Sequence, residues 1–288
     1  SAQSDQKINL LGQLFKQTLA ADVSVHNNQL LDFVDSMPLA EEKSNLVLLH
    51  FDTHSDLYLH GDPRRNPPAE MIGDYLNRLL TQKIVTEVYW VLPDWSRLQD
   101  YNYFYWEKSL PTLKKIKFSE AYTEGPKTLN VYFHAKTKSL YFSTKPSHLK
   151  SEELQLIKFH KIILSELPEF SNNQKVLLEF DADYFSNSGY DTSLTPAFNP
   201  SKEQLEQHIN EVASQLLEKN ISPVYAYLCL SPKYTSVEDQ AVLSNLFAQA
   251  MQVNGLSDRL LGYRHNSENG IDFSAKNKLR QGVLANLL

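Results

Sequence analysis

Cysteine is almost absent. Cys229 stands alone, which excludes an intramolecular disulfide and every cysteine-built zinc site. It lies in the apolar run 224–230, where a free cysteine behaves as a small buried hydrophobe. Glycine and proline number 9 and 13 and nowhere gather into a linker, so one domain spanning 1–288 is expected. No apolar stretch approaches the roughly 20 residues a spanning helix needs, which argues against a membrane role. The first six residues lack the basic and apolar regions of a signal peptide, so a cytoplasmic location is expected. Basic charge is in short supply: 28 Lys and Arg face 34 Asp and Glu, a net charge of -6. That balance argues against a nucleic-acid partner, which usually meets a basic face. Also missing are H-E-x-x-H, the G-x-S-x-G elbow and the P-loop, as is a G-N-H motif of the phosphoesterase kind.

What remains alternates between two periodicities. Residues 45–51 and 175–180 are short, almost wholly apolar runs, which suit central strands buried on both faces. Residues 87–92, rich in Val, Tyr and Trp, predict a strand that stops at Pro93, and 224–230 predicts another. Residues 130–134 and 139–143 predict two short strands joined by a hairpin at 136–138. Helical spacing is read over 7–19, 70–80, 151–166, 201–220, 236–254 and 275–287, with Ser151, Ser201 and Ser236 as capping hydroxyls. Strands alternating with helices predict an α/β fold of three layers, α/β/α, around a mainly parallel sheet.

Two acidic motifs follow directly on predicted strands. In His50-Phe51-Asp52-Thr53-His54-Ser55-Asp56, the side chains of Asp52, His54 and Asp56 share one side of an extended chain. In Glu179-Phe180-Asp181-Ala182-Asp183, Asp181 and Asp183 do the same. Ligands in open α/β sheets bind at the carboxyl ends of strands, where both motifs lie. Four bare carboxylates in one place would repel strongly, and divalent cations remove that penalty. Carboxylates with imidazole suit manganese, zinc or iron. His50 has two readings: a ligand on the shared face, or a hydrogen-bond partner behind the ligands.

Asp52-Thr53-His54-Ser55-Asp56 resembles the D-A-H-x-D signature of the arginase and agmatinase superfamily, and Asp181-Ala182-Asp183 resembles its second D-x-D. The longer stretch from Val47 to Leu57 is similar to a branch that includes peptide arginases, which convert arginine side chains of ribosomally made peptides to ornithine. The resemblance implies an arginase/deacetylase-like fold and two Mn²⁺ ions, other divalent metals being alternatives. It implies that His26, in Val23-Ser24-Val25-His26-Asn27-Asn28, joins Asp52, Asp56 and Asp181 on one ion. Asp52, His54, Asp181 and Asp183 would hold the other. It further implies a histidine that protonates the leaving amine. His60 is the first candidate, with His134 and His148 behind it. The acid for the substrate guanidinium is Glu238 or Asp239, after the strand 224–230, with Glu179 a weaker alternative. Capping of the helix that begins there is the competing role for Glu238 and Asp239. The expected partner is an arginine-containing peptide with its leader. The aromatic residues of 90–106 would form its wall or a packed loop, and Arg64 and Arg65 would be solvated surface or a guide for the leader. Free arginine or agmatine as substrate, deacetylase chemistry and a non-catalytic metal protein remain open.

Overall fold

Five of the six strands of the parallel core are rich in Val, Leu, Ile and aromatic residues, and pairing fixes the order of all six. The computed structural model describes residues 9–35, 45–57, 75–95, 103–105, 115–117, 127–142, 145–188, 197–256, 263–266 and 270–273. In chain order its elements are α1 (Leu10–Leu14), β1 (Ala20–Ser24), α2 (Leu30–Asp35), β2 (Leu46–Phe51), α3 (Leu76–Thr81), β3 (Val85–Leu92), β4 (Tyr103–Tyr105) and β5 (Lys115–Lys117). Then come β6 (Lys127–His134), β7 (Ser139–Phe142), β8 (Leu154–Ile163), β9 (Val176–Asp181), α4 (Lys202–Glu218), β10 (Pro223–Cys229), α5 (Val237–Val253), β11 (Tyr263–Asn266) and β12 (Gly270–Phe273). An eight-stranded sheet runs β1-β10-β9-β2-β3-β8-β6-β7. Its first six strands are parallel, and β6 and β7 close one side as an antiparallel hairpin.

Both alternations of β2 and β9 are buried, so both faces of the sheet's middle are covered. On one face Phe180 meets Phe185, which meets His208 of α4, and α1 packs on α5 through Phe15 and Phe247. On the other, Phe33 of α2 packs on Tyr225 and Tyr227 of β10. The expected α/β class with a mainly parallel sheet and three layers is therefore what the chain adopts.

The expectation of a helix over 151–166 is overturned. A short 3-10 turn, Ser151–Glu153, leads into strand β8. Ile157 and Phe159 are buried, while Lys158 is exposed and Leu156 is 43% exposed, which is a period of two. Bonding to β3 on one side and β6 on the other uses the backbone of this segment, and the β-branched Ile157, Ile162 and Ile163 suit a pleated surface. The helix expected over 7–19 shrinks to α1, because Asn9 caps it with its side chain and the last turn closes at Phe15. Strand β1, with five buried residues, was not foreseen. The hairpin, the strands over 45–51, 87–92, 175–180 and 224–230, and the helices over 201–220 and 236–254 appear within a few residues of expectation. Of the helix expected over 70–80, the described part is α3; the one expected over 275–287 lies outside the described residues. Among the described residues, no helix is long and apolar enough to cross a membrane.

Strand order places the site. From β2 the chain proceeds to β3 on one side, and from β9 it proceeds to β10 on the other. The carboxyl ends of β2 and β9 thus flank a topological switch point, where open α/β sheets form their ligand crevice.

Candidate metal centre

Asp52 and Asp181 sit at the carboxyl ends of the neighbouring strands β2 and β9, so register alone brings the two motifs together. Two groups of potential ligands result, each with its donor atoms within 4.8 Å of one another: His50, Asp52 and Asp56, and Asp52, His54 and Asp183. Asp52 belongs to both. Asp52 and Asp183 are fully buried, Asp56 is 2% exposed and Asp181 2%.

Local hydrogen bonds shape each loop. The His54 amide donates to Asp52 Oδ1 at 2.8 Å, and the Asp183 amide donates to Asp181 Oδ1 at 3.3 Å, so each aspartate caps the turn that follows it. Thr53 ties the two loops together: its hydroxyl donates to Asp183 Oδ2 at 2.9 Å and its amide to Asp183 Oδ1 at 3.4 Å. His54 Nδ1 lies 3.1 Å from Asp183 Oδ2 and 3.4 Å from Asp52 Oδ1. Its side chain is 20% exposed, so it forms the open side of an otherwise closed cluster. The ring of Tyr234 packs against it at 4.9 Å. Asp56 has φ of 52° and Ser231 of 46°, left-handed backbone that non-glycine residues adopt when the surroundings over-determine it. Both serve this site: Ser231 Oγ donates to Asp181 Oδ1, and Asp56 Oδ2 accepts from Asn27 Nδ2 at 2.8 Å.

The electrostatics describe a cluster with too little positive charge. Burial first, and then the charges of Asp183 and Asp56, push Asp52 well above the usual carboxylate range. Burial followed by Asp183 and Asp52 does the same to Asp181. Asp56 is raised by burial, against a hydrogen bond from Asp52, with Glu179, Asp181 and Asp183 adding to the rise. Burial alone would raise Asp183 too, but hydrogen bonds and charge from His54, with help from Thr53, hold it below its ordinary value. Burial lowers His54, yet Asp183 and Asp52 outweigh it and bring the imidazole up to about 10. Asp52 Oδ2 is buried without a hydrogen-bond partner among the described residues, as is Asn27 Oδ1. An unpartnered buried carboxylate oxygen among three other acids is costly as it stands, and a divalent cation is the ligand that satisfies it. Carboxylate oxygens with imidazole nitrogen fit a hard or borderline cation such as Mn²⁺.

The expected site residues fall into place unevenly. Asp52, His54, Asp56, Asp181 and Asp183 come together. His26 follows β1 beside the site but lies in neither ligand group; the side chain that reaches Asp56 from that loop belongs to Asn27. Burial and the charge of Lys233 lower His26 from its ordinary value. His60, Arg64 and Arg65 lie outside the described residues. His134 ends β6, antiparallel to β8, where it pairs with Leu154 at the strand's start. It is therefore on the opposite edge from the site and is corrected as a proton donor. His148 packs on Tyr141 of β7, four strands from β2 and so roughly 19 Å away at ordinary strand spacing, and is corrected likewise.

Glu238 is exposed and Asp239 partly so, both in the first turn of α5 behind the capping hydroxyl of Ser236. Asp239 also accepts a hydrogen bond from Ser186 Oγ, three residues after Asp183. Glu179 is corrected as a guanidinium acid. It is fully buried, with one oxygen 2.9 Å from His50 Nδ1 and the other accepting from the Tyr75 hydroxyl. In the aromatic segment, Trp90 is core: its indole N–H donates to the Asp52 carbonyl at 3.0 Å, and Trp95 stacks on Phe198. Thr53, Ser231, Asn27, Tyr75 and Tyr234 were not foreseen. Thr53 sat inside the motif where the signature has Ala; the others come from distant loops, and no spacing marks them.

No family model matches the chain, and no curated protein matches it with significance. Among solved structures, the chain is similar to the proclavaminate amidino hydrolase from Streptomyces clavuligerus, with 14% identity and a TM-score of 0.41 over 85% of this chain and 67% of that one.

Proposed function

We propose that this chain is a two-cation hydrolase that removes urea from arginine side chains of a peptide, leaving ornithine. The observation that supports it most directly is Asp52, a buried carboxylate common to two ligand groups, with an unpartnered oxygen. One cation would lie against Asp52, His54 and Asp183, the other against Asp52 and Asp56, with Asp181 close to both. Bound there, the pair would supply an activated water at neutral pH and offset developing negative charge. The protein's own residues do the rest. Thr53 and Ser231 hold the carboxylates of Asp183 and Asp181 in orientation. His54 and Tyr234 line the open side, where a side chain enters. Burial excludes bulk water from the remainder. Water adds to the guanidinium carbon, its bond to arginine Nε breaks, urea leaves, and the nitrogen takes a proton and stays on the peptide as the primary amine of ornithine. Glu238 and Asp239, on the same sheet edge, are the acids offered to the substrate cation, and His60, four residues after Asp56, is the proton donor to the amine. The peptide as substrate and ornithine as product rest on the resemblance of 47–57 to peptide arginases.

The test is mass spectrometry of arginine-containing peptides incubated with the Mn²⁺-loaded chain. Each turnover lowers the peptide mass by about 42 Da, the balance of adding water and losing urea in metal-assisted hydrolysis. Turnover of free arginine or agmatine with untouched peptides would replace this reading with a small-molecule ureohydrolase. One zinc per chain with loss of acyl groups would replace it with a deacetylase. Two bound cations with no turnover of any of these would leave a metal-binding protein.

A further inference from the structure

We infer that His50 is itself a cation ligand through Nε2, and that Glu179 and Tyr75 are the residues that position it; this rests on the two-cation reading. His50, Glu179 and Trp90 form one transverse row on neighbouring strands, with His50 opposite Glu179 on β9 and Trp90 on β3. Behind the imidazole, Nδ1 is 2.9 Å from Glu179 Oε2, and the other oxygen of Glu179 accepts from the Tyr75 hydroxyl. A carboxylate only accepts, so Glu179 is placed to hold the ring's N–H at Nδ1. With the proton held there, Nε2 is the nitrogen left to meet a cation. In front of the ring Nε2 faces acceptors: Asp52 Oδ2 and Asp56 Oδ2, each at 3.4 Å, and the His54 carbonyl at 2.9 Å. Asp52 Oδ2 is buried without a hydrogen-bond partner among the described residues. The ring nitrogen and these oxygens lie together as a donor set for a cation, and without one the His54 carbonyl competes with Glu179 for the ring's N–H. A carboxylate behind the far nitrogen of a ligating histidine is the usual means of fixing its tautomer and raising its basicity. The row is fully buried, so the ring cannot turn to solvent to escape the arrangement.

The inference separates His50 from a purely packing role by metal stoichiometry. The full chain, stripped with a chelator, is titrated with Mn²⁺ by calorimetry and its bound metal is counted. Wild type should take up two ions. In His50→Asn the amide keeps a donor to Glu179 but has no lone pair at the Nε2 position; it should lose one ion or bind it about 100-fold more weakly, with the other unchanged. Glu179→Gln offers an N–H to Nδ1 and reverses the tautomer, so the same ion should weaken about 10- to 100-fold. Tyr75→Phe should do so less. This variant set keeps the test alive if His50→Asn does not fold. A spectroscopic readout is independent of turnover: with ¹¹³Cd²⁺ in place of Mn²⁺, the His50 Nε2 resonance of histidine-labelled protein should split by coupling to the metal. Two ions bound with unchanged affinities in His50→Asn and Glu179→Gln, or no splitting at Nε2, would overturn the inference and leave the two-cation reading standing. Wild type that binds no Mn²⁺ would sink both.

Discussion

At the residue scale, the carboxylates are less exacting than the hydroxyls that aim them. Ser231 Oγ donates to Asp181 Oδ1 from a backbone with φ of 46°, and both residues are buried. Ser231→Ala removes the hydroxyl donor from buried Asp181 Oδ1, which keeps the Asp183 amide at 3.3 Å, and should cost about 0.5–1.5 kcal/mol of stability. It also frees Asp181 to rotate, and loss of such an outer partner typically weakens metal binding about 10- to 100-fold. A Mn²⁺ titration of the variant beside a thermal melt reads both effects, and an unchanged affinity would show that Asp181 needs no such support. Thr53→Val is the matching test for Asp183, which loses a bond of 2.9 Å and keeps the amide bond at 3.4 Å. The acids themselves were legible in the sequence, because alternation in an extended chain and the end of an apolar strand are local facts. Ser231 and Asn27 were not, because they reach Asp181 and Asp56 across 50 and 29 residues of chain. The paired role of His50 and Glu179 depends on strand register, which spacing within one motif does not contain.

At the scale of elements, β8 marks where local pattern and tertiary context part. The run 151–166 is read as helical spacing, yet two neighbouring strands claim the backbone and the alternation of Ile157 and Phe159 decides which side is buried. Substitution separates the two readings. Phe159→Ala, at a fully buried position, should cost about 3–5 kcal/mol. Leu156→Lys, on the exposed side, should change stability by less than about 0.5 kcal/mol. A chemical denaturation series measures both, and comparable losses at the two positions would contradict the strand. Helix α4 is the opposite case, with local signals sufficient. Ser201 Oγ accepts from the Gln204 amide at 3.1 Å, while Gln204 Oε1 accepts from the Ser201 amide at 2.9 Å, a reciprocal capping box. Ser201→Ala should lower stability by about 1 kcal/mol in the same denaturation experiment. The short central strands were equally readable, since burial on both faces leaves no polar alternation to confuse them with amphipathic helices. Strand β1 escaped because its Ala20, Ala21 and Asp22 have low strand propensity; pairing with β10 and burial of all five residues secure it.

For the molecule as a whole, the metal-free protein carries a cost that pH tunes. Asp52, Asp56 and Asp181 are raised well above the usual carboxylate range, burial leading in each, and His54 is brought up to about 10 by Asp183 and Asp52 against the opposing effect of burial. Each of these four holds its proton more tightly folded than unfolded. Each therefore contributes stability that is complete below its unfolded value and lost as pH rises through its folded one. Asp183, held below its ordinary value by His54 despite burial, runs the other way and loses its contribution as pH falls through its depressed value. Four groups against one make the chelated protein less stable as pH rises above about 4, the unfolded carboxylate value. Divalent cations substitute for the protons these groups would otherwise keep, so added Mn²⁺ should matter little near the acid end and most on the alkaline side. At a concentration about 100 times its dissociation constant, one ion stabilises by about 2.7 kcal/mol. Melting curves with chelator and with excess Mn²⁺ are taken at about pH 5 and about pH 8, both above the ordinary carboxylate value. The chelated protein should melt lower at the higher pH, and the gap between the two curves should widen there. A gap of equal size at both pH values would mean that cations and protons do not compete for these carboxylates, and the cluster between β2 and β9 would then have to be stabilised by something other than metal.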